Sequence, residues 1–256
     1  MNPTEQTSEK APVVGAKPAN AGDERAAAAA VREMFSTIAP RYDLLNHLLS
    51  FSVDRLWWWR TARKFGHILA RPKAQVLDLC CGTGDMTFAL AKRAGESGAK
   101  LYGADFAHPM LRRALSKTKS RRLCWIEADA LNLPLPDAEF HLVTSAFGFR
   151  NLANYDAGLR EIHRVLASGG EVGILDFGEP SGLAGNIYRI YFRYVLPAIG
   201  TVISGVRGPY AYLPASVQRF PEPDEMLSRM RSAGFRDVSW TPYTFGIAGL
   251  YRGIKR

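Results

Sequence analysis

Two short stretches place chemistry-bearing side chains where ligand sites need them. The first is DLCCGTGD, Asp78 to Asp85, in which Gly82 and Gly84 let a backbone loop pass close to a bound molecule. Asp105 stands 21 residues beyond Gly84, near the ~20 at which a carboxylate accepts hydrogen bonds from a ribose. A bare tight turn explains two glycines as well, and both readings stay open on this motif alone. The second stretch is AFGFRNL, 146 to 152, which sets Arg150 and Asn151 directly behind an apolar run. Polar side chains at the carboxyl end of a buried strand stand at the rim where open parallel sheets bind ligands. The alternative is an arginine paired with a surface acid and an asparagine that ends a strand.

The acidic residues narrow the ligand. A dinucleotide needs a helix N-terminus facing its pyrophosphate, and Asp85 would set a negative charge there. Asp78, Asp85 and Asp105 instead suit a nucleoside with a positive charge and no phosphate, as S-adenosylmethionine is. Asp129, followed by Ala130, comes after a further apolar run and is expected at the adenine edge; capping of the next turn is its other reading.

Alternating strands and helices must position these groups. QVLDL (75–79), KLYGAD (100–105), LCWIEAD (123–129), FHLVTSAF (140–147) and EVGILDF (171–177) read as strands. MTFALAKRA, a segment opened by Pro109, and a stretch with Leu159, Ile162 and Leu166 on one face read as the helices between them. That order predicts an α/β fold with a mostly parallel sheet covered on both faces. Glu33 to Leu49 reads as helix broken near Pro40, IYRIYFRYVLPAIGTVISG (187–205) as a helical insertion, Phe220 to Gly234 as a helix, and residues 239–255 as a last pair of strands.

Composition sets outer limits. The chain has 256 residues, 47% of them hydrophobic, and no apolar run approaches the ~18 residues of a membrane span. Its +9 charge admits nucleic acid, an acidic lipid surface or an acidic substrate. Three cysteines, two of them the neighbours Cys80 and Cys81, argue against a disulfide framework and for a reducing, cytoplasmic setting. The five histidines lack ligand spacing, so no metal is expected. Residues 1–30 read as a disordered tail, with an alanine-rich helix start from Arg25 as the alternative, and 31–256 as one domain.

Longer stretches carry a family resemblance. MFSTIAPRYDLLNHLLSFSVDRLWW, VLDLCCGTGD, AFGFRNL, RVLASGGEVGILDFGEP and YAYLPASVQRFP, with AGFRDV and GIAGLYRGIK, resemble the ubiquinone/menaquinone biosynthesis C-methyltransferases, within the class I S-adenosylmethionine-dependent enzymes. The likeness runs from about Val31 to Lys255. It implies a Rossmann-like, doubly wound, mostly parallel seven-stranded sheet, with a helical cap at 31–70 and a helical insertion after the fifth strand at 181–215. It implies methylation of a ring carbon of a polyprenyl hydroquinone, demethylmenaquinol ahead of the methoxy-benzoquinol.

The resemblance also implies particular site residues. Thr83, Asp105, Asp129 and Ala130 match S-adenosylmethionine positions, alongside Asp78, Gly82 and Gly84; Arg150 and Asn151 take the catalytic role, and Tyr42 and Asp43 close over the quinol. Cys80 departs from a usual glycine, Ala146 from a usual serine, and Asp54 to Trp59 from a histidine-containing pattern. Tyr188, Tyr191, Phe192 and Tyr194 with Arg189 and Arg193, and Trp57 to Trp59, suit a membrane interface or equally a helix core. A peripheral membrane contact and a homodimer accompany the expectation, and nucleic acid does not: no Asn or Asp before Pro-Pro-aromatic follows the fourth strand. A non-catalytic S-adenosylmethionine-binding scaffold is the reading from another class.

Overall fold

Side chains that alternate at every second residue split each central strand between two cores. Val76 and Leu77 of β1 (Gln75–Leu79) are fully buried on opposite faces. The same split recurs at Leu142 and Val143 of β4 (Phe140–Ala146) and at Ile174 and Leu175 of β5 (Leu166–Phe177). Strands apolar on both faces need cover on both, which is what helical crossovers between parallel strands provide. The computed structural model describes residues 15–16, 18, 21–39, 52–120, 122–178, 180 and 209–256.

With β2 (Lys100–Asp105), β3 (Leu123–Glu127), β6 (Arg236–Tyr243) and β7 (Ala248–Ile254), the sheet has seven strands in the order β3-β2-β1-β4-β5-β7-β6. The first five run parallel, and β7 joins β5 antiparallel. Among the described residues the helices are α1 (Glu24–Ile38), α2 (Val53–Lys64), α3 (Gly66–Leu69), α4 (Asp85–Ala94), α5 (His108–Lys117), α6 (Tyr155–Val165), α7 (Pro209–Arg219) and α8 (Pro223–Ser232). One core sets Leu77, Val143 and Ile174 against Leu159 and Ile162 of α6 and Met226 and Met230 of α8. The other sets Val76, Leu142 and Leu175 against Trp57 of α2, Phe65, Ile68 and Leu69 around α3, and Met86 and Leu90 of α4. The order reverses at β1, between β2 and β4, and the crevice at their carboxyl ends is where such sheets bind ligands.

Two expected boundaries move. The tail expected over 1–30 gives way to helix at Glu24: Asp23 caps α1 by accepting the Ala26 N–H at 2.8 Å, and Ala27 and Val31 are buried. The alanine-rich alternative is therefore the observed one from Glu24 onward. β5 begins at Leu166 rather than Glu171, with an irregular register between its pairings to Phe140 and Leu142. Tyr42, Asp43 and the aromatics from Tyr188 to Tyr194 lie outside the described residues, as does the insertion up to 208.

Candidate active site

The carboxyl ends of β1 and β2 hold two buried acids. Asp78 accepts hydrogen bonds from the Thr87 hydroxyl of α4 at 2.6 Å and the Thr144 hydroxyl of β4 at 2.9 Å. Burial outweighs those bonds and pushes its carboxyl up to about 7. Asp105 accepts the Gly82 N–H at 2.8 Å and the Ala107 N–H at 2.9 Å, so one carboxylate pins the glycine loop to the end of β2. Burial pushes Asp105 up to about 6 against those backbone bonds.

Loop backbone explains the glycines. Gly84 stands at φ +89 as the residue before α4, and a Cβ there would come within 2.6 Å of the Trp125 ring. Cys80 adopts φ +55, the left-handed backbone that glycine takes at no steric cost.

These residues open onto a cleft. Asp78, Asp85, Asp105 and Asp129 line it, and among the described residues neither lysine nor arginine does. Such a wall favours a cation and opposes a phosphate. The apolar remainder includes Ala130, Leu131, Met110 and Phe147, and α1 and α2 roof the cleft with Ala28, Phe35 and Trp58. The donor set fits S-adenosylmethionine: acceptors for ribose hydroxyls, an apolar slot for adenine and acids for the sulfonium side, of which Asp85 also pairs with Lys117 at 3.2 Å. Asp129 lines the cleft, and its Oδ1 accepts the Leu131 N–H at 2.9 Å, the turn contact of its other reading.

Arg150 and Asn151 part company in a short 3-10 turn, Phe149–Asn151. Gly148 enters it so close to the other loop that a Cβ would sit 2.3 Å from the Cys80 Cβ. Asn151 lines the cleft; its Oδ1 accepts the Tyr212 hydroxyl of α7 at 3.2 Å. Arg150 does not line it. Its guanidinium pairs with buried Asp176 at 2.8 Å and donates to the Phe147 carbonyl and the Ser216 hydroxyl, while its own N–H reaches Asp176 at 3.1 Å. The expected substrate-facing arginine is thus turned inward, its guanidinium held by the Asp176 carboxylate within β5 and by the Phe147 carbonyl. Its partner is a buried acid, not the surface acid of the alternative reading.

A family model of the ubiE/COQ5 methyltransferase family matches residues 20–255. The chain belongs to that family. It is 48% identical to the demethylmenaquinone methyltransferase of Deinococcus radiodurans over 92% of this chain and 96% of that one, and 48% identical to that of Thermus thermophilus over 87% and 100%. The ubiquinone/menaquinone biosynthesis C-methyltransferase UbiE of Geobacter sulfurreducens is 44% identical over 88% of both. A solved S-adenosylmethionine-dependent methyltransferase of Thermotoga maritima superposes with TM-score 0.62 at 18% identity, covering 88% of this chain and all of that one. The [4+2]-cyclase SpnF superposes with TM-score 0.63 at 16% identity over 88% and 94%. The fold alone therefore does not choose the chemistry, and the family does.

In this S-adenosylmethionine-dependent methyltransferase, the cleft brings together Asp78, Gly82, Thr83, Asp105, Asp129, Ala130 and Asn151. Gly84 shapes the loop from behind, and Arg150 holds the 3-10 turn. Sequence reasoning did not single out Phe147, Met110 or Asp176. Asp176 had a signal in its place, an acid inside the apolar run EVGILDF at the carboxyl end of a central strand.

Proposed function

We propose that the chain methylates a ring carbon of a polyprenyl hydroquinone, demethylmenaquinol, to give menaquinol. The observation that carries the proposal is the 48% identity, over about nine-tenths of the chain, to relatives named for that reaction. S-adenosylmethionine supplies an electrophilic methyl group when bound. The chain's own residues do the rest. Asp105 and Asp129 accept from the nucleoside, and Phe147, Trp58 and Met110 exclude water from the reacting face. Asn151, held by Tyr212, orients the quinol hydroxyl or a water that takes its proton, which raises electron density on the adjacent ring carbon. Arg150 acts one step back by fixing Asn151 and the Phe147 carbonyl in place.

A polyprenyl substrate resides in a bilayer, so the proposal includes peripheral contact with the membrane face. No helix among the described residues is long and apolar enough to cross it. The test supplies purified protein with radiolabelled S-adenosylmethionine and, separately, reduced demethylmenaquinone and the methoxy-polyprenyl benzoquinol in detergent. Label is expected in the naphthoquinol. Label in the benzoquinol alone would move the substrate assignment, and cofactor binding without label in either would leave the scaffold reading in its stead.

A further inference from the structure

Three consecutive tryptophans in α2 point three ways. Trp58 lines the cleft. Trp57 is buried, donates from Nε1 to the Thr244 hydroxyl at 2.8 Å, and packs its ring 5.7 Å from Phe147 and 6.1 Å from Phe177. Trp59 is 51% exposed, with the Arg63 guanidinium 4.9 Å above its ring. The outward stripe of the helix reads Arg55, Leu56, Trp59, Arg60, Arg63 and Lys64, the spacing of one helical face. The single acid of α2, Asp54, is buried, so this stripe carries four cations and no carboxylate of its own.

A second apolar group stands beside it. The turn Thr244–Gly246 is tied to α2 through the Trp57 bond, and Arg60 lies 4.3 Å over the ring of Tyr243 just before that turn. Phe245 projects from the turn, 85% exposed and at φ +57. A large apolar side chain in left-handed backbone is strained, and here it faces water rather than a core.

We propose that this face docks on an anionic lipid bilayer. Leu56, Trp59 and Phe245 enter the headgroup layer, and Arg55, Arg63 and Lys64 meet the lipid phosphates. The charge selects this occupant, since a second copy docking through the same stripe would set four cations against themselves. Continuity with the cleft supports it as well: the same helix puts Trp58 in the cleft wall and packs Trp57 against Phe147, which also lines it. The inference deepens the quinol reading by saying how a bilayer-held substrate is met.

The experiment is co-sedimentation of the full chain with vesicles of equimolar phosphatidylglycerol and phosphatidylcholine, against phosphatidylcholine alone. Binding is expected to the anionic vesicles, to weaken with salt, and to fall about fivefold in Arg63→Gln, as expected for one cation near such a surface. Trp59→Glu combined with Phe245→Ser is expected to abolish it, while circular dichroism and S-adenosylmethionine affinity stay unchanged because neither residue lines the cleft. No binding by the parent, or full binding by both variants, overturns the proposal. So does a change of oligomeric state or of nucleic-acid binding in the variants in place of a change in vesicle binding. Turnover of a short-tailed, water-soluble quinol is measured alongside, so failure of the substrate reading and failure of the docking surface register in different assays.

Discussion

Asp176→Asn tests the inward-facing arginine most directly. Asp176 is fully buried, Arg150 is 5% exposed, and the carboxylate takes both the guanidinium and the backbone N–H of Arg150. The amide replacement keeps an acceptor but strands a buried positive charge. Breaking one side of a buried pair costs about 3–5 kcal/mol, a large part of the ~5–15 kcal/mol that holds a typical domain together. At roughly 2–4 °C per kcal/mol for a chain of this size, the melting temperature should fall by about 6–20 °C. Because Asn151 hangs on the same turn, kcat should fall more than KM for S-adenosylmethionine rises. Arg150→Met should cost a similar amount, and Arg150→Met with Asp176→Leu should recover part of the stability through a coupling of ~1–3 kcal/mol, but not the activity. Urea unfolding at constant slope reads the stability terms, and quinol turnover reads the rest. A melting shift under ~2 °C in Asp176→Asn, or single-variant costs that simply add, would refute the reasoning.

Three further outcomes follow from the same geometry. Asp105→Asn removes the charged acceptor that pins the loop and that the proposed site offers to the ribose, and should weaken S-adenosylmethionine binding by ~10- to 150-fold in calorimetry, the range for hydrogen bonds to charged groups. Burial raises Asp78 to about 7 and Asp105 to about 6, so between ~4 and ~7 the folded chain binds more protons than the unfolded one. Their contribution to stability is full below that window and lost as pH rises through it. The ligand-free protein should therefore lose stability from these two groups between about pH 4 and about pH 7, while S-adenosylmethionine affinity rises as Asp105 ionises; paired melts and titrations check both signs. Gly148→Ala should clash with Cys80 and destabilise the protein, and Cys80→Gly should be tolerated and rescue it, because the removed Cβ is the one in the way and the backbone is left-handed there; thermal melts of the three variants decide.

Much of the architecture is legible without coordinates. Apolar runs at 75–79, 100–105 and 140–146 need no partner to declare themselves strands, because burial on both faces removes polar alternation. The loop acids are legible for a similar reason. Asp78, Asp85 and Asp105 sit at fixed offsets from a glycine turn, and spacing along the chain is what a strand-loop-helix unit preserves in space. Arg150 shows where this logic stops. Its position after the fourth strand is correctly read, yet its direction depends on Asp176, 26 residues away in sequence and beside it only because β5 pairs with β4. The helix start at Glu24 was equally local in cause, an Asp23 cap and an alanine run, and lost ground only to a composition that also fits a tail.

By itself the sequence determined the α/β order, the acidic cofactor loop and the family, since all three depend on residue type and spacing along the chain. Tertiary structure alone decided which of two adjacent residues faces the cleft, which of three adjacent tryptophans lines it, and that the lining is acidic without a cation among the described residues. Those are questions of direction, fixed by contacts between segments that the linear order leaves far apart.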